Sequence, residues 1–298
     1  MNSRLKVHAA LALVSLLFGA NYSIAKVVMP EYMGPLGLIA LRVPLTTVLF
    51  WTFHKMVGPT VTPSKKDLGR FFVSAIFGVA VNQIFFFKGI SLTSPIMGSV
   101  IMTSTPIIVL IISFFLLGER ITWTKSLGII LGATGAIFLV TSKGIDLSNN
   151  TFQGNLFVLV NALSYSIYLV IVKPLMAKYD ALTVIKWVFF FGCFMVVPFG
   201  AGELMDVNWH QFNSSVWFSM AYIILGSTFL AYLLNMWALK HVNPSLVGYY
   251  IYLQPLFATA IAVVFRGDIL TMKHILFASM IFAGVFMVGY KKKKKISP

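Results

Sequence analysis

"STPIIVLIISFFLLGERIT" occupies Ser104 to Thr122, and "LQPLFATAIAVVFRGDILT" occupies Leu253 to Thr271. Each phrase runs from a proline through an apolar stretch to a glycine followed by an acidic residue. Gly118 follows Pro106 by 12 positions, as Gly267 follows Pro255, and the phrases stand 149 residues apart, half of a 298-residue chain. At the same offset Glu119 matches Asp268, Thr122 matches Thr271 and Gly135 matches Gly284. Gln83 and Asn235 each stand five residues before a lysine, Lys88 and Lys240. Ser15, Gly19 and Tyr22 match Asn161, Tyr165 and Tyr168 at an offset of 146. Each match is loose, but their common order reads as an internal duplication.

The composition says where such a chain folds. It is 58% hydrophobic and 10% charged, with a mean hydropathy of +0.88. A water-facing domain carries about 25% charged residues. A membrane span takes about 20 predominantly apolar residues. The apolar runs predict all-α architecture, a polytopic membrane protein with ten transmembrane helices. They fall near 7–29, 34–56, 69–90, 94–117 and 121–141, then near 154–173, 181–201, 215–239, 244–265 and 270–290. Residues 1–145 form the first five-helix repeat and 150–290 the second, with 291–298 a basic tail. The polar stretch "TSKGIDLSNNTFQG" between them has the composition of a linker. The amino terminus resembles a signal peptide, but its apolar run is long enough to span, and the repeat needs it as the first helix.

Lysines and arginines set the orientation. One set of alternate flanks holds 17 of them and the other holds 5, with Arg42 inside a helix. The positive-inside rule then places both termini in the cytoplasm, most simply of a bacterial inner membrane. The net charge of +15 does not signal nucleic acid, because five lysines form the tail Lys291–Lys295 directly after an apolar run. That tail reads as a flank attracted to anionic lipid. The single cysteine, Cys193, lies mid-span and reads as packing.

A unit with an odd number of spans ends on the side opposite its start, so its second copy enters the membrane inverted. Inverted repeats are a common transporter plan, with the ligand between the halves. The stretches "LLFGANYSIAK", "ALRVPL" and "SPIMGSVIMTSTPIIVLIISFFLLGERIT", with the echo ending "FRGDILT", resemble the drug/metabolite transporter superfamily, specifically its ten-helix EamA-type exporters. Phe18 departs from the tryptophan that the family often has there. The resemblance covers nearly the whole chain and implies export of small metabolites such as amino acids through a central cavity.

Residues at i, i+3, i+4 and i+7 share a helix face. Ser15, Gly19, Tyr22 and Lys26 form one such stripe, and Asn161, Ser164, Tyr165 and Tyr168 form another. Polar stripes disfavour lipid, so both are expected to face protein or a water-filled cavity. Asn82, Gln83, Asn235, Trp237, Tyr252 and Gln254 join them as cavity candidates, whereas Tyr249 and Tyr250 suit an interfacial aromatic belt. Arg42 lies about eight residues into its helix and is costly in lipid. It reads either as the partner of a substrate carboxylate or as a structural arginine on helix-end carbonyls, since Pro44 frees one nearby. Pro106 and Pro255, with Gly98 and Gly248, read as equivalent bends. Glu119 and Asp268 are expected to cap following helices or to pair with Arg120 and Lys273.

All eight acidic residues and all five histidines fall at helix ends or in loops. A proton-coupled exporter of cations needs a carboxylate near the midplane. The expectation is therefore alternating-access export of a neutral, zwitterionic or anionic metabolite, amino acids first, without a proton relay and without a cofactor. A sugar-phosphate or nucleotide-sugar antiporter would need more cations in the cavity than Arg42, Lys26 and Lys186. A membrane-embedded enzyme would need convergent His, Asp, Glu, Ser or Cys groups at one depth, and the pattern offers no such catalytic or metal cluster. Short loops and the duplication disfavour a receptor or scaffold.

Overall fold

A computed structural model describes residues 3–58, 61–93, 95–141, 149–266 and 272–289. Most of the predicted linker, Gly267, Asp268 and Thr271, and the Lys291–Lys295 tail lie outside the described residues, as do the side chains of Arg266 and Lys273. The first half holds α1 (Ser3–Val28), α2 (Pro35–Val57), α3 (Lys65–Leu92), α4 in two pieces (Pro95–Met102 and Thr105–Leu117) and α5 (Trp123–Thr141). The second holds α6 (Asn149–Ile171, continued by Lys173–Lys178), α7 (Ala181–Met205) and α8 (Ser214–His241). It ends with α9 in two pieces (Pro244–Tyr249 and Leu253–Arg266) and α10 (Met272–Gly289). Six of these, α1, α2, α3, α6, α7 and α8, are long and apolar enough on their own to cross a membrane.

Local chemistry sets the ends. Pro35 opens α2 in the first turn, where its missing N–H costs nothing. Asp180 caps α7 by accepting the Thr183 amide at 2.9 Å, and Asn213 caps α8 by accepting that of Val216 at 3.0 Å. Gly118 closes α4 in the left-handed region at φ 64°, a conformation that favours glycine. Phe115, Phe194 and Phe218 stand exposed on outer faces while asparagines, two glutamines and an arginine are buried. That is the distribution lipid selects.

The two halves share their irregularities. The break in α4 falls at Thr103–Ser104, and the break in α9 is a 3-10 turn at Tyr250–Tyr252. Pro106 and Pro255 therefore do not kink continuous helices, as the sequence suggested. Each stands in the first turn of a new helical piece, where no intrahelical bond is lost. Gly248 packs closely at its break, whereas Gly98 leaves room for an ordinary contact. A Cβ on Gly248 would lie 3.2 Å from Val109 and 3.6 Å from Pro106, and one on Gly98 would lie 3.5 Å from the Tyr22 ring. α3 and α8 each widen into a π-helical segment, Ile76–Ala80 and Tyr222–Leu230.

Packing is consistent under exchange of the halves. α2 packs along α7, and α5 along α10. α3 packs on α6 as α8 packs on α1, α1 packs on α9 as α6 packs on α4, and α4 meets α9. At the α5–α10 crossing a Cβ on Gly128 would lie 2.9 Å from the Gly284 carbonyl oxygen, so small residues there let the backbones touch.

Candidate functional site

A cavity of about 60 Å³ lies between the halves. α1 contributes Phe18, Asn21 and Tyr22, α2 contributes Arg42, and α3 contributes Asn82, Gln83, Phe86 and Phe87. Met102 of α4, Asn161 and Tyr165 of α6, Ser227 and Tyr232 of α8, and Gln254 of α9 complete the wall. A water needs roughly 10–15 Å³ by this measure, so the space holds a few waters. Drug-sized ligands occupy pockets of about 300–1,000 Å³, so the space in this conformation is smaller than such a ligand.

The π segment of α3 lies where the halves are joined, and π turns are frequent at functional sites. The Phe77 carbonyl accepts the Ser164 hydroxyl at 2.7 Å, and the Gly78 carbonyl takes a longer contact from Tyr232 at 3.5 Å. One turn on, Asn161 donates its amide to the Asn82 carbonyl at 2.7 Å. Tyr232 is the hub: it donates to Asn82 Oδ1 at 3.2 Å and accepts from Gln83 Nε2 at 3.1 Å. The rings of Phe189 and Phe18 meet it edge-on at centroid distances of 5.1 and 6.0 Å.

Arg42 is 3% exposed, with its guanidinium carbon 4.5 Å from the centroid of the Phe87 ring. Its Nε and Nη1 have no hydrogen-bond partner. Those two donors are thus not held by helix-end carbonyls. Gln83 Oε1 and Asn161 Oδ1 are likewise buried acceptors without a donor. A buried polar group left unpaired costs about 1–3 kcal/mol, and more when charged. The cavity therefore presents an unmatched cation, neutral acceptors and an apolar aromatic wall, and no acidic residue lines it.

Seven sequence candidates meet here: Tyr22, Arg42, Asn82, Gln83, Asn161, Tyr165 and Gln254. Tyr22 donates to Gln254 Oε1 at 3.2 Å, which supplies the partner that a deep glutamine needs. The others stand behind the wall or away from it. Ser15 donates to the Tyr250 carbonyl at 2.7 Å, and a Cβ on Gly19 would lie 2.9 Å from the Gln254 carbonyl oxygen. That stretch of the α1 stripe is thus a packing seam against α9. Asn235 donates to the Tyr165 hydroxyl at 2.7 Å, and Tyr168 contacts the Met236 sulfur at 3.2 Å. Tyr252 is fully buried against Gly132, its hydroxyl unpartnered.

Three expectations are corrected. Trp237 is not at the cavity, because two residues past Asn235 is about 200° around the helix. It lines a groove on the other face. Tyr249 and Tyr250 are buried, not belt residues. Tyr249 donates to the Lys125 carbonyl at 3.2 Å and Tyr250 lies 2.6 Å from His8 Nδ1, since α9 is an inner helix. Glu119 pairs with Lys125 at 2.5 Å and accepts from Ser245 at 2.7 Å, not with Arg120. Sequence reasoning missed Phe18, Asn21, Phe86, Phe87, Met102, Ser227 and Tyr232. Phe86 and Phe87 stand one turn beyond Asn82 and Gln83, and Tyr232 one turn before Asn235, so their shared faces carried the signal.

Ten helices in two like halves around a central polar cavity define a polytopic membrane protein with the architecture of a transporter. The model of the EamA-like transporter family matches residues 5–141 and again 152–290. The chain belongs to that family, within the drug/metabolite transporter superfamily. An uncharacterized transporter of Archaeoglobus fulgidus is 24% identical over 288 residues, covering 97% of this chain and all of that one. The WALLS ARE THIN 1 protein of Arabidopsis thaliana is 25% identical over 336 residues, covering 97% of this chain and 84% of its own. A solved crystal structure superposes with a TM-score of 0.73 at 18% identity, over 94% of this chain and 98% of the other, a likeness of fold.

Proposed function

We propose that this transporter exports small carboxylate-bearing metabolites, amino acids or related zwitterions first, by alternating access and without a dedicated proton relay. The observation that carries the reading is Arg42, a fully buried guanidinium with two unpaired donors facing a cavity that contains no acid. A carboxylate would match it by a charge-assisted bond. Gln83 Oε1 and Asn161 Oδ1 would receive an ammonium group, and the rings of Phe18, Phe86 and Phe87 would flank an apolar side chain. Loading requires the halves to part, since the cavity is smaller than such a cargo. The excess of basic residues on one set of flanks supports cytoplasmic termini in a bacterial inner membrane.

A sugar-phosphate or nucleotide-sugar cargo is less well served. Lys26 reaches the Ser91 carbonyl at 3.4 Å, and the Lys186 ammonium sits 4.8 Å from the Trp51 ring, both away from the cavity wall. The test is counterflow in proteoliposomes loaded with a panel of amino acids, 2-oxo acids and sugar phosphates. Exchange of amino acids without a pH gradient, lost in Arg42→Gln, is the expected result. Exchange of sugar phosphates alone, or amino-acid exchange untouched by Arg42→Gln, overturns the reading.

A further inference from the structure

The sequence singled out Trp237, and the cavity does not use it. Trp237 lines a groove of about 640 Å³ between the start of α1, the start of α7 and the end of α8. On α8, Tyr232, Asn235 and Leu239 point inward and are buried. Leu233, Leu234, Trp237, Lys240 and His241 occupy the opposite arc, at about 100° per residue. The groove thus faces away from the substrate site, and its floor is apolar: Leu233 and Leu234 of α8, Ala10 of α1, Ala181 and Leu182 of α7.

Its rim is basic. Lys6, Lys240 and His241 are exposed there. His241 Nδ1 lies 2.8 Å from the Trp237 carbonyl, and its ring stands 4.8 Å from that of Trp237. The one acid on the rim, Asp180, is engaged: it accepts the amide and hydroxyl of Thr183 and lies 3.9 Å from His54 Nε2. An apolar trough beside an aromatic ring, ending in cations at the level of the helix ends, has the layering of a phospholipid. The basic flanks of this end mark the leaflet that holds anionic lipid.

We propose that this groove is a binding site for an anionic glycerophospholipid, its phosphate between Lys6, Lys240 and His241 and an acyl chain along Leu233, Leu234 and Leu182. The lipid bridges α1 of the first half to α7 and α8 of the second. The site is independent of the cargo.

The full-length protein in phosphatidylcholine vesicles tests it, with phosphatidylglycerol or phosphatidylcholine brominated on the acyl chains as a minor component. Quenching due to Trp237 is the difference between wild type and Trp237→Phe. That difference is expected to be larger for brominated phosphatidylglycerol than for phosphatidylcholine at equal mole fraction. In Lys6→Gln/Lys240→Gln the preference should fall by roughly fivefold per lysine, whereas Lys55→Gln, an exposed lysine outside the groove, should retain it. Replacing Lys291–Lys295 with glutamine separates groove from tail. Equal quenching by both headgroups in wild type, a preference insensitive to Lys6 and Lys240, or one abolished by the tail change alone overturns the proposal.

Discussion

Gln83 of α3 and Tyr232 of α8 join the two halves at the cavity wall, Gln83 Nε2 donating to Tyr232 Oη at 3.1 Å. Asn82 Oδ1 is the second partner of the Tyr232 hydroxyl, so one side chain of the second half is held by two of the first.

Tyr232→Phe removes the hydroxyl and leaves Asn82 and Gln83 each short of a partner inside the bundle. A loss of about 1–3 kcal/mol is expected, read as a lower thermal midpoint in detergent. Gln83→Met in the same background should cost less than it does alone, because its partner is already gone. Additive effects in that double-mutant cycle would show that the bond does not couple the halves.

Arg42 sets function against stability. Arg42→Met removes an unmatched buried cation and keeps the volume over Phe87, so the thermal midpoint should hold or rise. Transport should fall, since losing a desolvated charge partner costs about 2–5 kcal/mol, a weakening of about 30-fold or more. A variant that unfolds would assign Arg42 a structural role instead.

The span pattern and the duplication were legible because hydropathy and spacing survive loose repetition. The polar lining was legible where a stripe such as Tyr22 or Asn161 broke an apolar helix. Tyr232 was less so, since a lone tyrosine on an apolar helix also suits packing. Trp237 was misplaced because proximity to Asn235 in sequence was taken for proximity in space. The π segments were illegible: one extra residue per turn leaves no compositional mark, although the Phe77 and Gly78 carbonyls within one of them receive Ser164 and Tyr232.

Gly19 and Gly202 should respond oppositely to alanine. At Gly19 the new methyl would stand 2.9 Å from the Gln254 carbonyl oxygen and 3.4 Å from its Cα, both backbone atoms that do not yield. Prising α1 from α9 should cost about 1–3 kcal/mol and disturb the Tyr22–Gln254 bond at the cavity. At Gly202 of α7 nothing lies within 4 Å. Alanine there should stabilise by about 0.4–1 kcal/mol through helix propensity and the lost freedom of the unfolded chain. Thermal midpoints of the two variants decide the matter.

Protonation gives the last expectation. The charged group on the cavity wall is Arg42, and the rest of the lining consists of amides, hydroxyls, a thioether and rings. None of these changes charge between pH 6 and 8, the range in which a histidine or a raised carboxylate would. An amino acid also keeps its carboxylate and ammonium across that range. Counterflow with the same pH on both sides should therefore vary by less than about twofold from pH 6 to 8. A steep pH profile, or transport that stops when a pH gradient is collapsed, would require a titrating group that the cavity wall does not contain.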